Sequence, residues 1–144
     1  MINKKSQARR YAVQAIYQWQ MTGQDIREIT DVHDQFLAEQ DQGEFDTKYF
    51  DALLQGVSGN LGMLDQQLKP CLDRSIESVD PVERAILRLG AFELIHRMEV
   101  PYRVIINESV ELAKVFGAEQ GHRYVNGVLD KLARQSRKAE MDRR

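Results

Sequence analysis

This 144-residue sequence predicts an all-α fold. Apolar residues recur at spacings of three and four from one end to the other, and no stretch alternates apolar and polar residues between turn signals as a strand would. Helix-start and helix-stop residues fall where that periodicity begins and breaks. The length is that of one domain, enough to bury roughly two-thirds of the unfolded surface without a disulfide or a structural metal.

The first helix is predicted from about Ser6 to Thr22, burying Ala8, Ala12, Ala15, Ile16 and Trp19 and stopping at Gly23; its opposite face carries Arg9, Arg10, Gln14 and Gln18. A second helix buries Ile29, Val32, Phe36 and Leu37, and a third, capped by Asp46, buries Tyr49, Phe50, Leu53, Leu54 and Val57. Gly56, Gly59 and Gly62 interrupt this pattern, Asn60 is placed to cap a continuation carrying Leu61, Leu64 and Leu68, and Pro70 ends or kinks it.

The clearest start signal is Asp80, Pro81 and Glu83: an N-cap acceptor, a proline at the first helical position and a capping-box partner. The helix that follows carries Val82, Ile86, Leu87, Leu89, Phe92, Leu94 and Ile95 nearly all round, so it reads as the central element, on which Glu83, Arg84 and Arg88 stand out. The next helix opens at Pro101, buries Ile105, Ile106, Ser109, Leu112, Ala113 and Phe116, and ends at Gly117. The last buries Val125, Val128, Leu129, Leu132 and Ala133 and is expected to fray through the charged tail from Ser136 to Arg144. No repeat or low-complexity linker divides the chain, so residues 1–144 read as one domain with helical subdomains over about 4–75 and 76–139.

The formal net charge is −2, so the whole-molecule field does not drive binding to a polyanion, and any nucleic-acid affinity comes from local segregation of charge. Such segregation is visible. Lys4, Lys5, Arg9 and Arg10 precede the first acid at Asp25, whereas Asp25 to Asp51 holds nine acids against Arg27 and Lys48. Bases return in Arg123, Lys131, Arg134, Arg137, Lys138, Arg143 and Arg144.

Cys71 is alone and falls on the stripe Leu61, Leu64, Leu68 and Leu72, which marks a small buried hydrophobe in a reducing compartment. The basic amino terminus is followed by no apolar run of signal length, and no 18-residue apolar stretch occurs, so a cytoplasmic protein without membrane contact is expected.

Catalytic groups do not assemble in the sequence. There is no Gly-rich phosphate loop, nucleophile elbow, H-E-x-x-H pair or paired cysteine, and His33, His96 and His122 are scattered singly. Neither an enzyme nor a cofactor or metal is expected. His33 lies on an apolar face and reads as a satisfied boundary residue. The segment from Val100 to Lys131 is different: after Gly117 it places His122, Arg123, Tyr124 and Asn126 near one helix start. A cation, an aromatic face and an amide gathered in this way form an RNA-contacting composition.

RRYAVQAIYQWQ (Arg9 to Gln20), QFLAEQD (Gln35 to Asp41), VERAILRLGAFEL (Val82 to Leu94) and the Val100 to Lys131 segment, with its FGAE and VNGVLDK, together resemble the NusB family of bacterial transcription antitermination proteins over about residues 8 to 133. The resemblance implies two packed three-helix subdomains and no catalytic activity or cofactor. It also implies binding to the single-stranded boxA element of ribosomal-RNA operon leader transcripts together with the ribosomal protein NusE, within an assembly that makes RNA polymerase resistant to termination. A NusB-like domain also occurs fused to an RNA cytosine methyltransferase, and the length of this chain is expected to exclude that enzymatic version.

Carried over position by position, the resemblance places Lys4, Lys5, Arg9 and Arg10 beside Tyr17 and Gln20 in the RNA surface, meeting Arg123, Tyr124 and Asn126. That surface requires the two cationic ends of the chain to lie side by side. The basic leader is interrupted by Ser6, Gln7 and Ala8, which is expected to weaken affinity for RNA in isolation. Glu83, Arg84 and Arg88 would face NusE, itself basic, with Glu83 pairing a cation across the interface. Two other readings stand beside this one: a helical module that self-associates through its central surface, and a hydrolase using scattered carboxylates and His122.

Overall fold

The structure, a computed structural model, describes residues 3–41 and 45–143, the side chains of 36–41 excepted; the expected burial of Phe36 and Leu37 lies outside the described residues. Every regular element among them is helical: α1 (Lys4–Thr22), α2 (Ile26–Asp41), α3 (Thr47–Gly59), α4 (Leu61–Leu68), α5 (Pro81–His96), α6 (Tyr102–Phe116), α7 (Gly121–Ser136) and α8 (Lys138–Asp142), with 3₁₀ turns at Lys69–Cys71 and Ile76–Ser78. The chain forms two compact units, Met1–Gly59 and Asn60–Arg144. The boundary therefore falls at residue 59 rather than near 75, because α4 packs on α5 and α7, in the second unit.

In the first unit, α1 begins two residues before its expected start because Asn3 caps it, its side-chain oxygen accepting from the Ser6 N–H at 2.7 Å. It ends at Gly23, whose φ of +68° is the left-handed conformation that favours glycine, and whose N–H donates to the Trp19 carbonyl at 3.0 Å. Ala8, Ala12, Ala15 and Ile16 are fully buried, and α1 packs on both α2 and α3. Asp46 caps α3 by accepting from the Tyr49 N–H at 2.9 Å, and all five residues expected to be buried on α3 are buried.

Three expectations on this unit are corrected. The inner face of α2 runs through Ile29, Thr30, His33 and Asp34, so Val32 turns out to solvent and is 63% exposed. Arg9, expected on the outer face of α1, is 3% exposed and sits with its guanidinium 5.4 Å from the centre of the Tyr49 ring. Trp19 is half-buried rather than buried.

In the second unit, Asp80 caps α5 as expected, accepting from the N–H groups of Val82 and Glu83 at 3.0 and 3.3 Å, with Pro81 in the first turn. Helix α5 packs against α4, α6 and α7, which explains why its sequence is apolar nearly all round. Gly90 lies against α6 and α7; a Cβ there would lie 2.8 Å from Leu129 Cδ1 and 3.1 Å from Ser109 Oγ. Asn60 occupies the N-cap position of α4 without a side-chain cap bond. Gly117 ends α6, and Phe116 before it is half-buried. Cys71 is buried, and burial pushes its thiol pKa up, as a packed small hydrophobe requires.

The carboxyl-terminal tail does not fray at Ser136 as expected. Arg137 is 1% exposed and its guanidinium donates to the carbonyls of Leu94 at 2.7 Å, Val100 at 2.9 Å, Arg97 at 3.0 Å and Glu93 at 3.2 Å, and to Glu140 Oε1 at 2.6 Å. Glu140 Oε2 accepts from the Tyr102 N–H at 3.0 Å, so α8 also holds the first turn of α6. The carbonyls in the last turn of a helix have no partner within that helix, and a fork of five N–H donors at its negative end satisfies them.

Candidate nucleic-acid interface

The expected RNA residues fall into two clusters, one in each unit. On α1, Arg10, Gln14, Tyr17 and Met21 share one face at spacings of four, three and four. Gln14 and Met21 are exposed, Tyr17 is 38% exposed, Arg10 is half-buried, and Gln14 Nε2 donates to the Arg10 carbonyl at 3.3 Å. This line joins a cation, an amide and an aromatic ring. Gln14 was not among the expected contacts; its helical phase puts it on the same face as Arg10 and Tyr17. Gln20 is half-buried on the same helix.

The other cations at this end differ in availability. Lys4 is exposed. Lys5 pairs with Asp46 Oδ2 at 3.1 Å and lies 5.1 Å from the centre of the Tyr49 ring, so it ties the start of α1 to the start of α3. The Tyr49 N–H and Lys5 together hold the Asp46 carboxyl below its usual range. Arg9 covers the same tyrosine from within the core.

On α7, Arg123 and Asn126 are exposed one turn apart and Tyr124 is half-buried. The Tyr124 hydroxyl oxygen is buried. Its ring is covered by Arg74, whose guanidinium carbon lies 4.7 Å from the ring centre. Asp73 holds that guanidinium, accepting from Nε at 2.6 Å and from Nη2 at 3.0 Å. Neither Asp73 nor Arg74 was expected in the site; they lie between the two 3₁₀ turns, where helical periodicity gives no phase.

The expected protein-partner residues differ in exposure and pairing. Glu83 is 8% exposed and packs against Gly121, where any side chain would collide with its carboxylate. Burial and the charge of Asp80 push its pKa up, while Arg74 pulls it down. Arg88 is 9% exposed and forms a two-bond pair with Asp65, Nε to Oδ1 at 3.0 Å and Nη2 to Oδ2 at 2.8 Å. Charges on a central helix are drawn into pairs because desolvating them unpaired costs far more than the pair returns. Arg84 is half-buried and is the most open of the three.

The first unit also contains an acid pair that the sequence did not single out. Burial, then a carboxyl contact with Asp51 and the charge of Asp31, push the Asp34 pKa up to about 7, and Asp51 is raised with it. Next to them, His33 lies half-buried with Nε2 3.3 Å from Gln18 Oε1 and its ring stacked on Phe50, and burial lowers its pKa. This is the satisfied boundary histidine the sequence implied.

Among the described residues every regular element is helical, the exposed cations, amides and rings named above lie on helix faces, and the cysteine is packed away. Residues 6–134 match the NusB family, and the chain belongs to it. It is similar to the transcription antitermination protein NusB of Alcanivorax borkumensis, with 57% identity over 140 residues covering 97% of this chain and 91% of the relative. The NusB of Nitrosococcus oceani is 55% identical, with 97% and 92% covered. Among solved structures, T. maritima NusB superposes with a TM-score of 0.79 at 28% identity, covering 94% of each chain. A crystal structure of antitermination factors NusB and NusE in complex with dsRNA also matches, with a TM-score of 0.79 at 26% identity over 90% of this chain and 96% of that one.

Proposed function

We propose that this chain is a transcription antitermination factor that binds the boxA RNA of ribosomal-RNA operon leader transcripts together with the ribosomal protein NusE, within an assembly that makes RNA polymerase resistant to termination. It acts by binding and carries no catalytic step or cofactor. The observation that carries this reading is the pair of exposed clusters, Arg10, Gln14 and Tyr17 on α1 and Arg123, Tyr124 and Asn126 on α7, in a chain of this family. Each contains the three things single-stranded RNA requires: a cation for phosphate, a ring for a splayed base and an amide for a base edge. The solved NusB and NusE complex with RNA supports the choice of partner. Arg84 is the residue of the central helix best placed to face that partner.

The geometry sharpens the expected energetics. With Lys5 and Arg9 engaged around Tyr49, the open cations are Lys4, Arg10 and Arg123, and about three phosphate contacts give a log-log salt slope of about −2. Affinity for RNA alone is therefore modest and rises with the partner. The test is titration of boxA RNA and a scrambled RNA with the chain, with and without NusE, over a range of salt. Preference for boxA that increases with NusE is the expected result; equal weak binding to both RNAs in both conditions rejects the reading.

A further inference from the structure

We propose that Arg74 is a base-stacking residue of the RNA site, with Tyr124 as its pedestal and Asp73 as the latch that fixes its plane. The inference rests on the RNA-binding reading above and goes beyond it, because it moves the stacking surface of the second unit from the tyrosine ring to a guanidinium.

The argument begins with what a base would meet. The Tyr124 hydroxyl end is buried and the ring is half-buried, and the guanidinium of Arg74 lies over the ring face with its carbon 4.7 Å from the centroid. Arg74 itself is exposed, 47% for its side chain. An arriving base can reach the face of Tyr124 that Arg74 covers only by expelling Arg74, which breaks the cation–ring contact and both hydrogen bonds to Asp73. Stacking on the outer face of the guanidinium breaks neither. A planar, delocalised and weakly hydrated cation stacks on aromatic rings, and splayed RNA bases use arginine planes as well as aromatic ones. The route that keeps every existing contact is favoured.

Asp73 completes the device. It takes the Nε and Nη2 edge, which fixes the rotation of the guanidinium, and Arg74 in turn holds the Asp73 carboxyl down to about 2, so the pair stays ionised at any working pH. The two charges also cancel locally. Arg74 therefore contributes by stacking and not by releasing counterions from phosphate, which separates it from Arg10 and Arg123.

The experiment measures boxA RNA binding by fluorescence anisotropy at four salt concentrations, with NusE present, for the wild type and for Arg74→Ala, Arg74→Lys and Arg10→Ala. Thermal melts confirm that each variant folds. Loss of one stacked base weakens binding by about fivefold to 100-fold, so Arg74→Ala is expected in that range with an unchanged salt slope. Arg74→Lys is expected to be as weak as Arg74→Ala, because lysine keeps the charge and offers no plane. Three results overturn the proposal while leaving the functional reading intact. One is that Arg74→Ala binds as tightly as the wild type or tighter, which makes the bare Tyr124 ring the platform. Another is that Arg74→Lys restores binding. A third is that Arg74→Ala flattens the salt slope as Arg10→Ala does, which makes Arg74 a phosphate contact. If the wild type shows no preference for boxA in any condition, the functional reading and this proposal fall together.

Discussion

The two units each contain a tyrosine covered by cations, and the two sites behave differently. In the first, Lys5 and Arg9 lie over Tyr49, which is 3% exposed, with Arg9 equally buried. In the second, Arg74 lies over Tyr124, which is half-buried, and the arginine faces solvent. The same chemical pair is a packing unit where both members are desolvated and an open stacking surface where the outer member is wet. Burial sets the role, because a cation–ring contact strengthens as water is removed and becomes inaccessible to a ligand at the same time.

The comparison is broken most directly at Tyr49. Tyr49→Ala should cost about 3–5 kcal/mol of unfolding free energy, read from urea denaturation, because it empties a fully packed position between α1 and α3. A loss under about 1 kcal/mol would show that the covered ring is not a packing unit. Arg9→Ala should cost about 2 kcal/mol for the desolvated cation–ring contact and the packed stem. Arg10→Ala, one residue along, should barely move stability and instead reduce the magnitude of the salt slope of RNA binding by about 0.7.

A titration sharpens the comparison within the first unit. The folded pKa of Asp34, about 7, lies above the unfolded value of about 3.9, so the native state holds the proton more tightly. That contribution is complete below about pH 4 and is lost as pH rises through about 7. His33 is shifted the other way, so its contribution is lost as pH falls through its ordinary range and partly offsets the trend on the acid side. Denaturation midpoints should therefore fall between pH 6 and pH 8 in the wild type, and Asp34→Asn should remove most of that fall. An unchanged slope in Asp34→Asn would exclude the Asp34 and Asp51 pair as its origin. The smallest effect is at the wet site: Arg74→Ala should leave the thermal midpoint where it is while RNA binding falls.

Legibility in the sequence divides along the same line. Helix starts and stops carried local signals, and Asp46, Asp80 and Gly23 act as their residue types imply. Helical phase located the buried stripes of α3, α6 and α7 with little error, since one face of each meets a neighbour. Phase failed for Val32 and Arg9. At Val32 the inner face of α2 is rotated toward Thr30 and Asp34, and at Arg9 an aromatic partner 40 positions away makes a buried arginine stable. The availability of Glu83 and Arg88 was also illegible, because their fates depend on Gly121 and Asp65.

The amino-acid sequence by itself determined the all-helical class, the order of α1 to α7, the caps at Asp46 and Asp80, the stop at Gly23, the family and the residue types that can meet RNA. The helical class and the caps follow from local backbone preferences and spacing along the chain, which act over a few residues, whereas the family was carried by the resemblance of its motifs. Only the tertiary structure decided which cations remain available. Of the residues that read alike as basic, Arg137 is consumed by four carbonyls at the end of α5 and in the following loop, Arg88 by Asp65 and Arg9 by Tyr49, while Arg74 is held in place with its outer face open. The physical reason is that a charge is kept or spent according to its desolvation and its partners, and both are set by residues far away in the chain.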